Sequence, residues 1–306
     1  MAVYRREFPS IEEIEQVLLE HSYVTDHRLA TVLYLALKLQ MPLLLEGEAG
    51  VGKTQIAKTL AEVLDTPLIR LQCYEGLDAH STIYEWNYTR QLLHIRMLEA
   101  QSGGLDDQAE RGLFGQEYLI KRPLLQAIEM SEHGTAPVLL IDELDRADDE
   151  FEAFLLELLS DFQITIPEIG TIRAAEPPLV IITTNRTREI HDALKRRCIY
   201  HWIDYPSLEK EYRIVSMKVP GASEQLVQQL VKFVQGLRTL NLYELPTVGD
   251  TLDWAEALAS LDAKALDLPI LDETLEHLLK YQADLEVVRR GHARRLLAEA
   301  RQMTGH

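Results

Sequence analysis

Residues Leu43 to Thr54 read Leu-Leu-Leu-Glu-Gly-Glu-Ala-Gly-Val-Gly-Lys-Thr, an apolar run, a glycine-rich turn and a Lys-Thr pair that opens an amphipathic segment. No other stretch constrains the fold as tightly, because it prescribes a buried strand, an anion-binding turn and a helix in that order. Gly47, Gly50 and Gly52 let the backbone curl so that successive N–H groups point at one anion. Ile56, Leu60, Val63 and Leu64 then recur at a helical period. Residues Gly47, Glu48, Ala49, Gly50, Val51, Gly52, Lys53, Thr54 and Gln55 are therefore the candidate cradle for a triphosphate. Lys53 is expected on its β- and γ-phosphates and the Thr54 hydroxyl on Mg²⁺, with the positive end of the helix adding to the field. ATP and Mg²⁺ are the expected ligands.

The rest of the chain alternates strand and helix signals. Ser10 and Glu13 form a capping-box pattern ahead of a short amphipathic helix, and Asp26 caps a second helix that ends near Gln40. Strands are predicted at Leu43–Leu45, Leu68–Cys73, Val138–Ile141, Leu179–Thr183 and Ile199–Tyr205, with a helix over Leu119–Met130 and a mobile polar loop over Gln101–Gly112. Phe162 to Ala174 alternates apolar and polar residues about a turn at Pro167–Gly170, which predicts a β-hairpin before the fourth strand. Strands alternating with helices give a doubly wound parallel sheet with ligands at its carboxyl edge. After Pro206 only helical periodicity remains, through Glu209–Val219, Glu224–Leu240, Thr251–Leu261, Glu273–Tyr281 and Leu285–Gln302, with Pro269 among the breaks. The expected organisation is an N-terminal helical extension over 1–25, an α/β nucleotide-binding core over 26–206 and a helical second domain over 207–306, the part that the resemblance given below implies is a lid.

A second signal stands apart from the glycine turn: four apolar residues ending in Asp142-Glu143. A strand there places Asp142 beside Thr54, where its carboxylate can hold a water on Mg²⁺, and leaves Glu143 to orient or deprotonate the water that attacks the γ-phosphate. Asn185, ending the fourth strand, lies on the same edge and can hydrogen-bond both the γ-phosphate and that water. Arg196 and Arg197 close the next helix, and an arginine on the transferring phosphates accelerates cleavage strongly, including when a neighbouring subunit supplies it. An adjacent Asp-Glu pair favours hydrolysis over phosphoryl transfer to an acceptor.

Gly47–Thr54, Val138–Glu143, Asn185 and Arg196-Arg197, with a hairpin between the acidic strand and the Asn strand, resemble the AAA+ ATPases. Within that superfamily Leu144-Asp145-Arg146-Ala147, the insert before Leu124 and the run Leu158–Pro167 are similar to the MoxR branch. Leu71–Asp78, Tyr84–Tyr88, Arg90–Arg96 and Thr251–Ala255 resemble its CoxD subgroup. The resemblance runs from about Asp26 to about Leu261. It implies a five-stranded P-loop NTPase core with a helical lid, a ring, expected as a hexamer, with Arg197 and its neighbour Arg196 acting in trans. It also implies a partner carrying a von Willebrand factor A domain and a chaperone-like role in maturing a metalloenzyme client, such as carbon monoxide dehydrogenase or another molybdenum hydroxylase. One departure stands out: Pro246–Leu252, where many AAA+ lids carry a second-sensor arginine, has no cation.

Composition narrows the rival functions. Forty-nine acidic against 31 basic side chains give a net charge of -18, which argues against a nucleic-acid partner and hence against a DNA-remodelling ATPase. Cys73 and Cys198 lie far apart without a CxxC pair, and the histidines fall at no metal-ligand spacing, so neither a disulfide framework nor a zinc site is expected. A reducing cytoplasm fits, and no secretory signal follows Arg5-Arg6. The apolar tract Leu29–Leu45 is interrupted by Lys38, Gln40 and Pro42, a helix and strand and not a transmembrane span. Tyr84, Trp86 and Tyr88 are expected mainly to pack, with a partner-facing role as the alternative. A nucleotide-gated scaffold with little hydrolysis is the remaining rival.

Overall fold

The computed structural model describes residues 8–102, 113–132 and 136–302. The loop expected over Gln101–Gly112 falls mostly on 103–112, outside the described residues; the part that is described, 101–102, ends a helix. By its contacts the chain divides into two compact units, bounded as Met1–Val17, Asp26–Glu46 and Thr54–Trp202 for one and Leu18–Thr25, Gly47–Lys53 and Ile203–His306 for the other. The stretches Leu18–Thr25 and Gly47–Lys53 thus group with the C-terminal residues and not with the segments around them in sequence.

The first unit is organised by strands whose residues are buried on both faces. β1 (Leu43–Gly47), β5 (Val138–Asp142) and β8 (Leu179–Thr184) are buried at every position, the pattern a central parallel strand requires. With β2 (Leu68–Gln72) and β9 (Ile199–Ile203) they form a five-stranded sheet in the order β2-β5-β8-β1-β9. The pairs β1–β8, β2–β5 and β5–β8 are parallel. From β1 the chain crosses to the far edge at β2 and returns strand by strand through β5 and β8. That order sets the carboxyl ends of β5, β8 and β1 side by side, with Gln72 opposite Asp142 and Glu46 opposite Thr184. Leu44, Ile69, Leu139, Ile141, Val180 and Ile182 belong to one core with Leu124, Ile128, Phe151 and Leu155 from the helices Pro123–Glu132 and Asp149–Asp161.

The hairpin is present as β6 (Gln163–Ile166) and β7 (Gly170–Arg173), antiparallel with Ile166 opposite Gly170. The helix expected from Leu119 begins later. Leu119–Lys121 is a short strand, β4, paired antiparallel with β3 (Tyr84–Trp86), and the helix starts at Pro123, where the missing N–H of proline costs nothing. Between these strands the helix Tyr88–Ser102 completes an insert. Trp86 is buried, edge-on to Tyr84 and Phe114, whereas Tyr88 is 64% exposed, so the aromatic trio divides between packing and surface.

In the second unit, helices Leu208–Lys218, Glu224–Leu237, Val248–Ser260 and Ala293–Gln302 share an apolar core around Trp254, Phe233, Leu230 and Leu296. Pro269 does not separate elements as its sequence position suggests. Asp267 caps the helix Leu268–Thr274 and Pro269 sits in its first turn, a position proline tolerates. A π-helical turn, Val288–His292, interrupts the last expected helix.

Candidate functional site

The glycine turn between β1 and the helix Lys53–Val63 has the backbone its composition calls for. Gly50 and Gly52 take φ of +68° and +98°, a left-handed region that a side chain disfavours. A Cβ on Gly50 would lie 2.4 Å from Cβ of Thr247, so that residue has no room for one. Lys53 is buried and its Nζ donates to the carbonyls of Gly47 and Glu48, at 2.7 and 2.6 Å. Thr247 is the N-cap of the helix Val248–Ser260 and forms a reciprocal capping box with Asp250. The segment holds no cation; in the same unit the buried Arg238 is bonded to Glu211, Pro246 and Thr251.

In the first unit the acidic strand end is densely bonded. Asp142 is 2% exposed, and its Oδ1 accepts the hydroxyls of Thr183 at 2.6 Å and Thr54 at 3.0 Å. Its Oδ2 accepts Nε and Nη2 of Arg70 at 3.0 and 2.6 Å. Glu143 follows in a left-handed conformation, φ 56°, which turns the chain out of the strand. The N–H of Glu143 donates to Thr183 Oγ1 at 2.9 Å, and its carboxylate meets Nε of Arg146 at 2.8 Å. The neighbouring Cys73 thiol is pushed up to about 12, first by burial and then by the charges of Asp142, Asp145 and Glu143, so it stays protonated at neutral pH.

Asn185 follows β8 and is half-buried; its N–H donates to Asp145 Oδ1 at 3.2 Å. Arg196 and Arg197 follow the short helix Asp192–Lys195 and are exposed, with Nη1 of Arg197 on the carbonyl of Leu156 at 2.9 Å. Thr54, Asp142 and Glu143 are thus brought together, Asn185 is tied to the turn that follows them, and the exposed arginine pair is anchored through Arg197 to Leu156 of the helix Asp149–Asp161. Sequence reasoning missed Thr183 and Arg70, and named Asp145 only as part of the run Leu144–Ala147, without a role. The pairing of β5 with β8 and with β2 brings the first two to Asp142, and neither residue carries a motif of its own.

A parallel sheet in this order, with a glycine turn running from its β1 strand into a helix that starts Lys-Thr, is the α/β fold of the P-loop nucleoside triphosphatases. The family model described as the AAA domain, dynein-related subfamily, matches residues 42–198, just over half of the chain. The chain belongs to that family and is an ATPase; members typically assemble as oligomeric rings. Uncharacterized proteins of Staphylococcus aureus strains USA300 and COL are 27% identical to it over 210 residues, 66% of this chain and 70% of each relative. Among solved structures, the Thermotoga maritima RuvB Holliday junction branch migration motor is similar at 16% identity, covering 98% of this chain and 85% of that one, with a TM-score of 0.46. Among the described residues no helix is long and apolar enough to cross a membrane.

Proposed function

We propose that this chain is a chaperone-like ATPase of the MoxR type, closest to the CoxD subgroup, that spends ATP on remodelling a protein client. The observation that carries the ATP-cleaving part of the reading is the buried Asp142 carboxylate held at 3.0 Å from the Thr54 hydroxyl, with Glu143 next in the chain. Two hard oxygen donors at that spacing suit a magnesium ion, which Thr54 and Asp142 would hold. Magnesium bound there would neutralise charge on the phosphates during cleavage.

In this reading Gly47, Glu48, Ala49, Gly50, Val51, Gly52 and Gln55 surround the phosphates, and Lys53 moves its ammonium from the loop carbonyls to the nucleotide. Glu143 accepts a proton from the attacking water or orients it. Asn185 hydrogen-bonds the γ-phosphate and that water. Arg197, flanked by Arg196, completes the site of a neighbouring copy in a ring, taken as a hexamer. Residues 26–206 are the ATPase core, 207–306 its lid and 1–25 an extension.

The resemblance of Leu71–Asp78, Tyr84–Tyr88 and Thr251–Ala255 to CoxD supports a cytoplasmic role in maturing a molybdenum hydroxylase, assisted by a von Willebrand factor A domain partner. A specific contact favours a second reading. The Glu143–Arg146 ion pair and the cation-free Pro246–Leu252 suit a nucleotide-gated scaffold that hydrolyses slowly. Steady-state turnover of the wild type and Glu143→Gln separates the two. The chaperone reading expects ATP binding retained and turnover reduced about 100-fold in the variant; equal turnover removes Glu143 from the mechanism.

A further inference from the structure

Asp145 lies two residues beyond Glu143, in the single 3₁₀ turn Leu144–Arg146, and is 4% exposed. A carboxylate that deep needs its lone pairs filled. Besides its own backbone N–H, its donors among the described residues come from one loop. Oδ1 accepts the N–H of Asn185 at 3.2 Å, and Oδ2 accepts the N–H and the hydroxyl of Thr187 at 2.8 and 2.7 Å. Arg186, between them, takes a left-handed φ of 60°, which lets residues 185 and 187 both turn their N–H groups onto the one carboxylate.

A second buried carboxylate repeats the arrangement one step along. Glu152, 1% exposed, accepts the N–H of His191 at 2.7 Å and the guanidinium of Arg188. Residues 185–191 are therefore stapled at two points to the segment that begins with Glu143.

We propose that Asp145 is the positioning residue that fixes Asn185 relative to Glu143, so that the water-activating acid and the γ-phosphate sensor keep one spacing. The assignment rests on the roles of Glu143 and Asn185 argued under Proposed function. Asp145 touches neither nucleotide nor water; it acts through the backbone of Asn185. Displacing a group by about 1 Å from its working position costs up to about 100-fold in rate while leaving ground-state binding almost intact. Loss of Asp145 therefore acts on kcat and not on KM.

A double-mutant cycle in the full chain tests this, with Asp145→Asn, Asn185→Ala and the pair. The asparagine is nearly isosteric but presents an NH₂ to one of the donors from the loop. Expected are a kcat about 10-fold lower for Asp145→Asn with KM for ATP within about 2-fold, and a double variant no slower than Asn185→Ala alone. Effects that multiply, or an Asp145→Asn enzyme with unchanged kcat, overturn the proposal while leaving Asn185 in its role. An Asn185→Ala enzyme at wild-type kcat overturns the role of Asn185 itself and the proposal with it. Thr187→Val removes only the hydroxyl bond and serves if Asp145→Asn does not fold. It is expected to lower kcat about 3-fold in the wild-type background and not at all beside Asn185→Ala. The same factor in both backgrounds is the contrary result.

Discussion

The hydroxyl of Thr183 lies 2.6 Å from Oδ1 of Asp142, bridging the ends of two neighbouring strands of the sheet. The Thr183 hydroxyl oxygen also accepts the backbone N–H of Glu143 at 2.9 Å, so one buried side chain holds the Asp142 carboxylate and the Glu143 backbone. Thr183→Val keeps the shape and removes the hydroxyl, leaving Asp142 short of a donor and Glu143 short of an acceptor. A loss of about 1–3 kcal/mol in stability is expected, together with a lower kcat. Chemical denaturation and steady-state kinetics of the one variant check both.

Arg238 and Glu211 form a two-pronged ion pair in the second unit, at 2.6 and 2.8 Å, with side chains 7% and 0% exposed. Arg238→Met leaves the buried carboxylate, among the described residues, with Gln235 and Thr251 as its side-chain donors. It is expected to cost about 3–5 kcal/mol, much of which Glu211→Met in the same chain restores. Urea unfolding followed by circular dichroism compares the wild type, each single variant and the pair.

The strands and the phosphate loop were legible in the sequence because each satisfies a strong local requirement. Val138–Asp142 is apolar on both faces up to its final acid, Gln163–Ile166 alternates, and Gly50 and Gly52 occupy backbone angles that other residues resist. What pairing between distant segments decides was not legible. Arg70 lies beside Asp142 because β2 pairs with β5, and Asp145 receives Asn185 because the turns after β5 and β8 face each other. Leu119–Lys121 is too short to show strand alternation, and only its pairing with Tyr84–Trp86 makes it a strand.

Burial pushes the Asp145 carboxyl up, but bonds from the Thr187 hydroxyl and from the N–H groups of Thr187 and Asn185 outweigh it and hold the group below its ordinary range. A folded value below the unfolded one stabilises the fold fully above about pH 4, and that contribution is lost as pH falls further. The stability gap between wild type and Asp145→Asn should stay constant from pH 7 to pH 5 and narrow below about pH 4. Urea titrations across that range read it directly, and a gap independent of pH counts against the bonding described.

Arg197 is exposed; its backbone N–H donates to the carbonyl of Leu194 at 3.0 Å and its guanidinium Nη1 to the carbonyl of Leu156 at 2.9 Å. If it serves a neighbouring copy, Arg197→Ala and Lys53→Ala chains are each inactive alone, and their mixtures regain part of the wild-type turnover. The mixed sites pair an intact phosphate loop with an intact arginine. Mixtures that stay inactive at every ratio argue against an arginine supplied in trans.

Calorimetric titration of ATP with magnesium into the purified full chain is the most direct measurement of the central proposal, that the loop Gly47–Thr54 binds ATP with magnesium. The account predicts a saturable heat of association for the wild type and for Glu143→Gln, and its loss in Lys53→Ala. A wild-type chain that gives no saturable heat at high protein concentration, whether assembled or not, contradicts the account at its root.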